Sequence, residues 1–146
     1  MSVWTPPRDS LRSTPTKLLV FLSQARMCSD LSHLIARRFP WLALCATGDK
    51  AEALAHMQDA DVLVTFGSML APKMLSNARR LKWVHSMGTG VDGIIDNPEL
   101  AQDGIVTATR GIHGPALVEM ALLMMLALSR DLPRNMRNQK HGKWDR

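Results

Sequence analysis

The residues best suited to chemistry lie in the run Lys82-Trp83-Val84-His85-Ser86-Met87-Gly88-Thr89-Gly90-Val91-Asp92. The pattern predicts a buried strand over residues 81–86 that breaks into a loop at Met87-Gly88-Thr89-Gly90. Two glycines around a threonine let the backbone turn sharply and present its N–H groups outward, with no Cβ in the way. Open α/β sheets bind ligands at loops of this kind, at the C-terminal ends of parallel strands. A small anion such as a carboxylate is the natural guest for a cluster of unpaired N–H donors. The plainer alternative is a tight strand-to-helix turn with glycines at its corners. A short glycine motif does not by itself choose between them.

Other side chains offer less. His85 falls within the strand and reads as packed, while His33 and His56 read as helix surface. His113 precedes an apolar helix, where a plain loop role is the simpler reading, and none of the histidines is assigned a catalytic role. Asp92 is placed as the cap of the passage that follows it. Glu119 is a lone acid in an apolar helix, read as an interface residue or, alternatively, as a contact near a domain cleft. The two cysteines, Cys28 and Cys45, have no metal-type spacing, so they read as free thiols and no metal site is expected.

The elements that position the loop alternate along the chain. Residues 17–23 form a continuous apolar run, the pattern of a strand buried on both faces. Asp30 is placed as the cap of a helix carrying Leu31, Leu34, Ile35 and Phe39, which Pro40 stops. A second strand spans residues 41–47, and Asp49 caps a second helix with Ala53, Leu54 and Met57 on its apolar face. A third strand covers residues 62–66 and a short helix residues 72–78, with Pro72 near its first turn. The strand at 81–86 is followed by a helical or irregular passage at 94–102 and a fifth strand at 105–109. Such alternation predicts a parallel five-stranded sheet with helices on both faces.

After Arg110 the texture changes. Residues 116–130 predict a helix that is apolar nearly all round, the mark of a fully buried one, and Met120, Met124 and Met125 read as packing residues. A domain of this size with its sheet already covered has little room for it. The passage 115–146 therefore reads as part of a second domain or a dimer interface that these residues do not complete. Residues 1–16 read as a flexible lead-in.

Composition narrows the function classes. With 46% hydrophobic and 21% charged residues, the 146-residue chain is ordinarily globular and fits about one domain. Most of its net charge of +5 comes from the end of the chain. Residues 130–146 hold 6 of the 18 Lys and Arg, and the remainder has 12 basic against 11 acidic residues. A near-neutral body argues against nucleic acid as a partner. No signal peptide or membrane span is read, and a soluble cytoplasmic protein is expected.

Taken together, Leu81-Lys82-Trp83-Val84, Gly88-Thr89-Gly90-Val91-Asp92, Gly104-Ile105-Val106-Thr107, Arg110-Gly111, Val118-Glu119, Arg137 and Gly142-Lys143-Trp144 resemble the D-isomer-specific 2-hydroxyacid dehydrogenase family. Order and spacing match over residues 60–146, and the α/β alternation extends the likeness back to about Lys17. The resemblance implies a flavodoxin-like substrate domain at 17–110. It also implies a crossover helix and the start of an NAD(P)-binding Rossmann domain at 111–146. The implied reaction is hydride transfer between NAD(P)H and a 2-keto or 2-hydroxy acid. It assigns substrate binding to Met87, Gly88, Thr89 and Gly90, with the acid's carboxylate on the N–H groups of Thr89 and Gly90 and the strand end Phe66-Gly67 lining the pocket. Thr89, and more remotely Glu119, are the implied cofactor contacts, and a homodimer through residues 116–130 is expected.

The departures are equally specific. The family's catalytic arginine, acid and histidine follow the G-x-G-x-x-G motif of its cofactor domain, and no such motif follows the crossover helix in this sequence. Gly88-Thr89-Gly90-Val91-Asp92-Gly93 has that spacing but lies in the substrate domain, so it is not read as the cofactor motif. No catalytic residue is therefore assigned, and the chain alone is expected to be an inactive, truncated member. A free-standing binding or interaction module of flavodoxin-like fold is the alternative. A phosphorylatable receiver domain is disfavoured, because Ser23-Gln24 and Phe66-Gly67 stand where it needs acids.

Overall fold

The computed structural model describes residues 15–145, so all but the last two residues of the lead-in read at 1–16 lie outside the described residues. The chain divides into two units, Met1–Thr109 and Arg110–Arg146. In the first, β1 (Lys17–Phe21), α1 (Ala25–Arg38), β2 (Ala43–Thr47), α2 (Lys50–Met57), β3 (Val62–Thr65), β4 (Trp83–Ser86) and β5 (Ile105–Ala108) follow one another. The strands form one parallel sheet in the order β2-β1-β3-β4-β5. Flavodoxin-type doubly wound sheets share that order.

The continuous apolar runs explain the central strands. Leu19, Phe21, Leu63 and Val84 join Ala53 and Met57 of α2 in one cluster. Leu18, Val20 and Val64 join Cys28 of α1 in the other. Neighbouring residues of β1 thus face opposite layers, and neither face tolerates a polar residue.

Asp49 caps α2 as its spacing predicts, its carboxylate accepting the Glu52 N–H at 2.8 Å. The corresponding expectation for Asp30 is wrong. Helix α1 already begins at Ala25, and Asp30 sits inside it, 3.8 Å from Arg26 one turn earlier. The docked face of α1 is Met27, Cys28, Leu31 and Ile35, while Leu34 is exposed. Residues 72–78 form successive turns rather than a helix. Lys73 takes a left-handed φ of 67°, which a helix cannot contain.

Asp61 fastens three strands at their N-terminal ends. Its carboxylate accepts the Lys17 N–H at 2.9 Å and two contacts from the Arg80 guanidinium at 3.1 and 3.3 Å. Its own N–H donates to the Lys17 carbonyl, and its carbonyl accepts from Lys82. Burial pushes the Asp61 carboxyl up, but the Lys17 N–H and Arg80 outweigh it and hold the group below the ordinary carboxylate range. The resulting stabilisation is complete above the unfolded carboxyl value of about 4 and is lost as pH falls through the lower folded value. Asp61→Asn is therefore expected to cost about 1–3 kcal/mol at pH 7 and to flatten the acid limb of stability, measured by urea unfolding across pH.

In the second unit, α3 (Gly114–Ser129) carries Pro115 in its first turn, and α4 (Leu132–Lys140) is capped by the Asp131 carboxylate, which accepts the Arg134 N–H. The burial expected for the apolar helix is not met within this chain: Leu117, Met125 and Leu128 are 67%, 66% and 77% exposed. Polarity sends α4 to solvent as its composition implies, and Arg134 pairs there with Asp145. Among the described residues no helix is long and apolar enough to cross a membrane.

Candidate functional site

Strand β4 ends in a hydroxyl. Ser86, 1% exposed, accepts the Gly88 N–H at 3.2 Å and donates to the Gly90 carbonyl at 2.7 Å. One buried side chain therefore fixes both glycines of the loop. Two further bonds anchor it to neighbouring strands: Met87 donates to the Thr65 carbonyl at 2.9 Å, and the Gly88 carbonyl accepts from Thr109 at 3.0 Å.

The remaining donors face outward. Thr89 and Gly90 are exposed, and their N–H groups have no partner among the described residues. Such groups retain their full hydrogen-bonding capacity for a ligand oxygen. Met87 is half-buried and packs with Phe66 against the α1-side cluster.

The glycines divide into two kinds. Gly88 and Gly90 need no left-handed backbone, contrary to the sharp turn expected of them. A Cβ on Gly88 would meet the Phe66 ring and Ser86 Oγ at an ordinary 3.6 Å, and one on Gly90 would meet only the tip of Asp92. Packing inside the chain therefore does not require glycine at either position. Gly67 and Gly93 are different. A Cβ on Gly67 would lie 1.8 Å from the Asp92 carbonyl oxygen, and one on Gly93, at φ 75°, would lie 2.7 Å from the Gly67 carbonyl oxygen. Their close approach locks the loop after β3 onto the loop after β4.

Asp92 does not cap the following passage. Asp96 accepts the Gly93 N–H instead, at 3.3 Å, and the Val91 carbonyl accepts from Ile94 and Ile95. The Asp92 carboxylate lies beside the loop, with Oδ2 2.8 Å from the position of a Gly90 Cβ. A bound anion at Thr89 and Gly90 would feel its repulsion.

His85 has both ring nitrogens engaged, Nδ1 with Thr107 Oγ1 at 2.8 Å and Nε2 with Thr109 Oγ1 at 3.2 Å. It is a half-buried structural residue with Trp83 edge-on to its ring. Glu119 is exposed on α3, and Arg110 and His113 are also exposed in the second unit. The loop thus gathers Met87, Gly88, Thr89 and Gly90, with Phe66 against it. Ser86 and Gly93 are the contributors that motif reading overlooked, and Gly67, expected as pocket lining, serves as the packing partner of residues 92–93. A hydroxyl closing a buried strand before a G-x-G was the one available signal for Ser86.

A family model described as D-isomer specific 2-hydroxyacid dehydrogenase, catalytic domain, matches residues 20–137. Among curated proteins, a D-3-phosphoglycerate dehydrogenase of Methanocaldococcus jannaschii is 33% identical over 103 residues, covering 69% of this chain and 20% of that protein. A hydroxypyruvate reductase of Thermotoga maritima is 30% identical over 100 residues, covering 67% of this chain and 32% of its own length. The chain thus spans a third or less of the length of these relatives. Among solved structures, a D-isomer specific 2-hydroxyacid dehydrogenase family protein from Aeromonas salmonicida superposes with a TM-score of 0.74 at 27% identity, over 90% of this chain and 41% of that one.

Proposed function

We propose, from the premise that this chain belongs to the D-isomer specific 2-hydroxyacid dehydrogenase family, that it forms the substrate-holding part of an NAD(P)-dependent enzyme acting on a 2-keto or 2-hydroxy acid. Residues 17–110 are the substrate domain, and residues 111–146 are the crossover helix and the start of a cofactor domain. The observation that carries the reading is the loop after β4, which Ser86 fixes so that two exposed N–H groups, those of Thr89 and Gly90, are left without partners among the described residues. Two adjacent donors match the two oxygens of a carboxylate. Orienting the acid is this loop's task, and fixed orientation is a large part of catalysis.

The same loop does not fit a dinucleotide. A phosphate cradle needs a glycine turn that opens a helix, whereas residues 92–96 are turns and the φ and packing of Gly93 are committed to Gly67. The bound cofactor supplies or accepts the hydride, and this chain's own residues hold and orient the acid. His85, engaged on both sides, is not offered as the proton donor. The chain alone is accordingly proposed to be inactive. The exposed apolar surface of α3 supports a homodimer through residues 116–130, because a large apolar patch seeks cover. Free thiols at Cys28 and Cys45 support a cytoplasmic setting.

Joined to a cofactor domain, the chain should oxidise NAD(P)H in the presence of a 2-keto acid; alone it should not. In the joined protein, Asp92→Asn should lower KM for the acid by about 2- to 5-fold, by removing a nearby exposed like charge. No oxidation across a broad panel of acids would instead make this a non-catalytic binding module.

A further inference from the structure

At the opposite side of the sheet order, strand β2 and helix α2 bring together a set of side chains unrelated to the loop. The thiol of Cys45, the carboxylate of Glu52 and the imidazole of His56 each offer one ligand atom, and these atoms all lie within 4.8 Å of one another. Glu52 and His56 stand four residues apart on α2, so both project from one face of that helix. Cys45 lies on β2, the edge strand of the sheet, in register with Leu19 and directed to the same layer as α2.

We propose that Cys45, Glu52 and His56 form a binding site for a divalent transition-metal ion, with Zn2+ the favoured metal. Thiolate, imidazole and carboxylate together select zinc over the harder calcium and magnesium ions. Three protein ligands with one open position are the usual complement of a zinc site that admits a further ligand. Ligand atoms sharing a tetrahedral zinc stand roughly 3.3–3.8 Å apart, given metal bonds of about 2.0–2.3 Å. The set closes by about 1 Å through small rotations of Glu52 and His56, both of which are exposed.

Two features of the surroundings belong to a metal site. The Thr47 hydroxyl donates to Glu52 Oε2, so the carboxylate is oriented from behind, as outer-shell partners orient ligands. A cavity of about 230 Å3 opens beside the set, lined by Cys45, His56, Lys17, Asp59 and Ala60. Lys17 is paired with Asp59 at 2.9 Å, so its charge is already balanced. Burial, followed by the Glu52 charge, pushes the Cys45 thiol up. A cation reverses that balance: coordination removes the thiol proton to solvent and leaves thiolate on the metal.

The test is titration of the tag-free 146-residue chain with Co2+, followed by its sulfur-to-cobalt charge-transfer absorption. A band should grow to one equivalent and vanish when Zn2+ displaces the cobalt. Cys45→Ser should abolish it and Cys28→Ser should not. Glu52→Gln and His56→Ala, at exposed positions that leave the fold intact, should each weaken binding by at least the roughly tenfold that loss of an outer-shell partner costs. Absence of a band, its survival in Cys45→Ser, or unchanged affinity in both helix variants would overturn the proposal.

Discussion

Gly67→Ala should destabilise the first unit by about 3 kcal/mol or prevent its folding. The new Cβ would stand 1.8 Å from the Asp92 carbonyl oxygen and 3.0 Å from its carbon. Backbone cannot rotate aside as a side-chain tip can, so the strain must be relieved by separating the loops that follow β3 and β4. Overpacking a core commonly costs about 1–3 kcal/mol, and a clash with main chain belongs at the top of that range. Gly93→Ala should act in the same direction, because its φ of 75° already strains any side chain and its Cβ meets the Gly67 carbonyl at 2.7 Å. Urea denaturation of both variants measures this. A midpoint unchanged for Gly67→Ala would mean that the two loops are not locked together.

No local pattern announces that contact, since Gly67 and Gly93 are far apart in sequence and meet only when β3 and β4 pair in register. Sheet order and strand positions were more legible. Runs such as Leu18 to Phe21 are buried on both faces and admit no polar interruption, so the sequence carries the signal directly. Caps were legible only where side chain and chain direction agreed. Asp49 is followed three residues later by Glu52, whose N–H it accepts. Asp30 also precedes apolar residues, but α1 begins directly after β1, and docking against the sheet decided its start. Pro72 suggested a helix, and the left-handed Lys73 beside it prevents one.

The site was legible in part for a similar reason. The glycines of a G-x-G announce a loop, whereas which N–H groups stay unpaired depends on Ser86, Thr65 and Thr109, residues from three strand ends. The proximity of Cys45, Glu52 and His56 leaves no mark in cysteine spacing, because it arises from the fold of β2 onto α2. The apolar texture of α3 was plain, but its expected burial requires cover that residues 110–146 do not themselves provide.

Gly90→Val separates ligand binding from folding. The added Cβ meets only Asp92 Oδ2, the movable end of an exposed side chain, and Gly90 has no left-handed φ to lose. Stability should therefore change by no more than about 0.5 kcal/mol. Its branched side chain would fill the space a carboxylate needs beside the Thr89 and Gly90 N–H groups. Affinity for a 2-keto acid should fall more than about tenfold, or about 1.4 kcal/mol. Calorimetric titration of the variant and the parent chain, alongside their melting curves, distinguishes this from general destabilisation. Equal affinity in both would remove the loop from the binding site.

The most direct measurement is a titration of the isotopically labelled 146-residue chain with 2-keto and 2-hydroxy acids, following its amide signals by nuclear magnetic resonance. Hydrogen bonding to a carboxylate should move the Thr89 and Gly90 amide protons downfield in a saturable manner, while the Met87 and Gly88 amides, already engaged by Thr65 and Ser86, move less. Saturable shifts confined to other parts of the chain, or none with any acid, would contradict the assignment of this loop as the holder of the substrate's carboxylate.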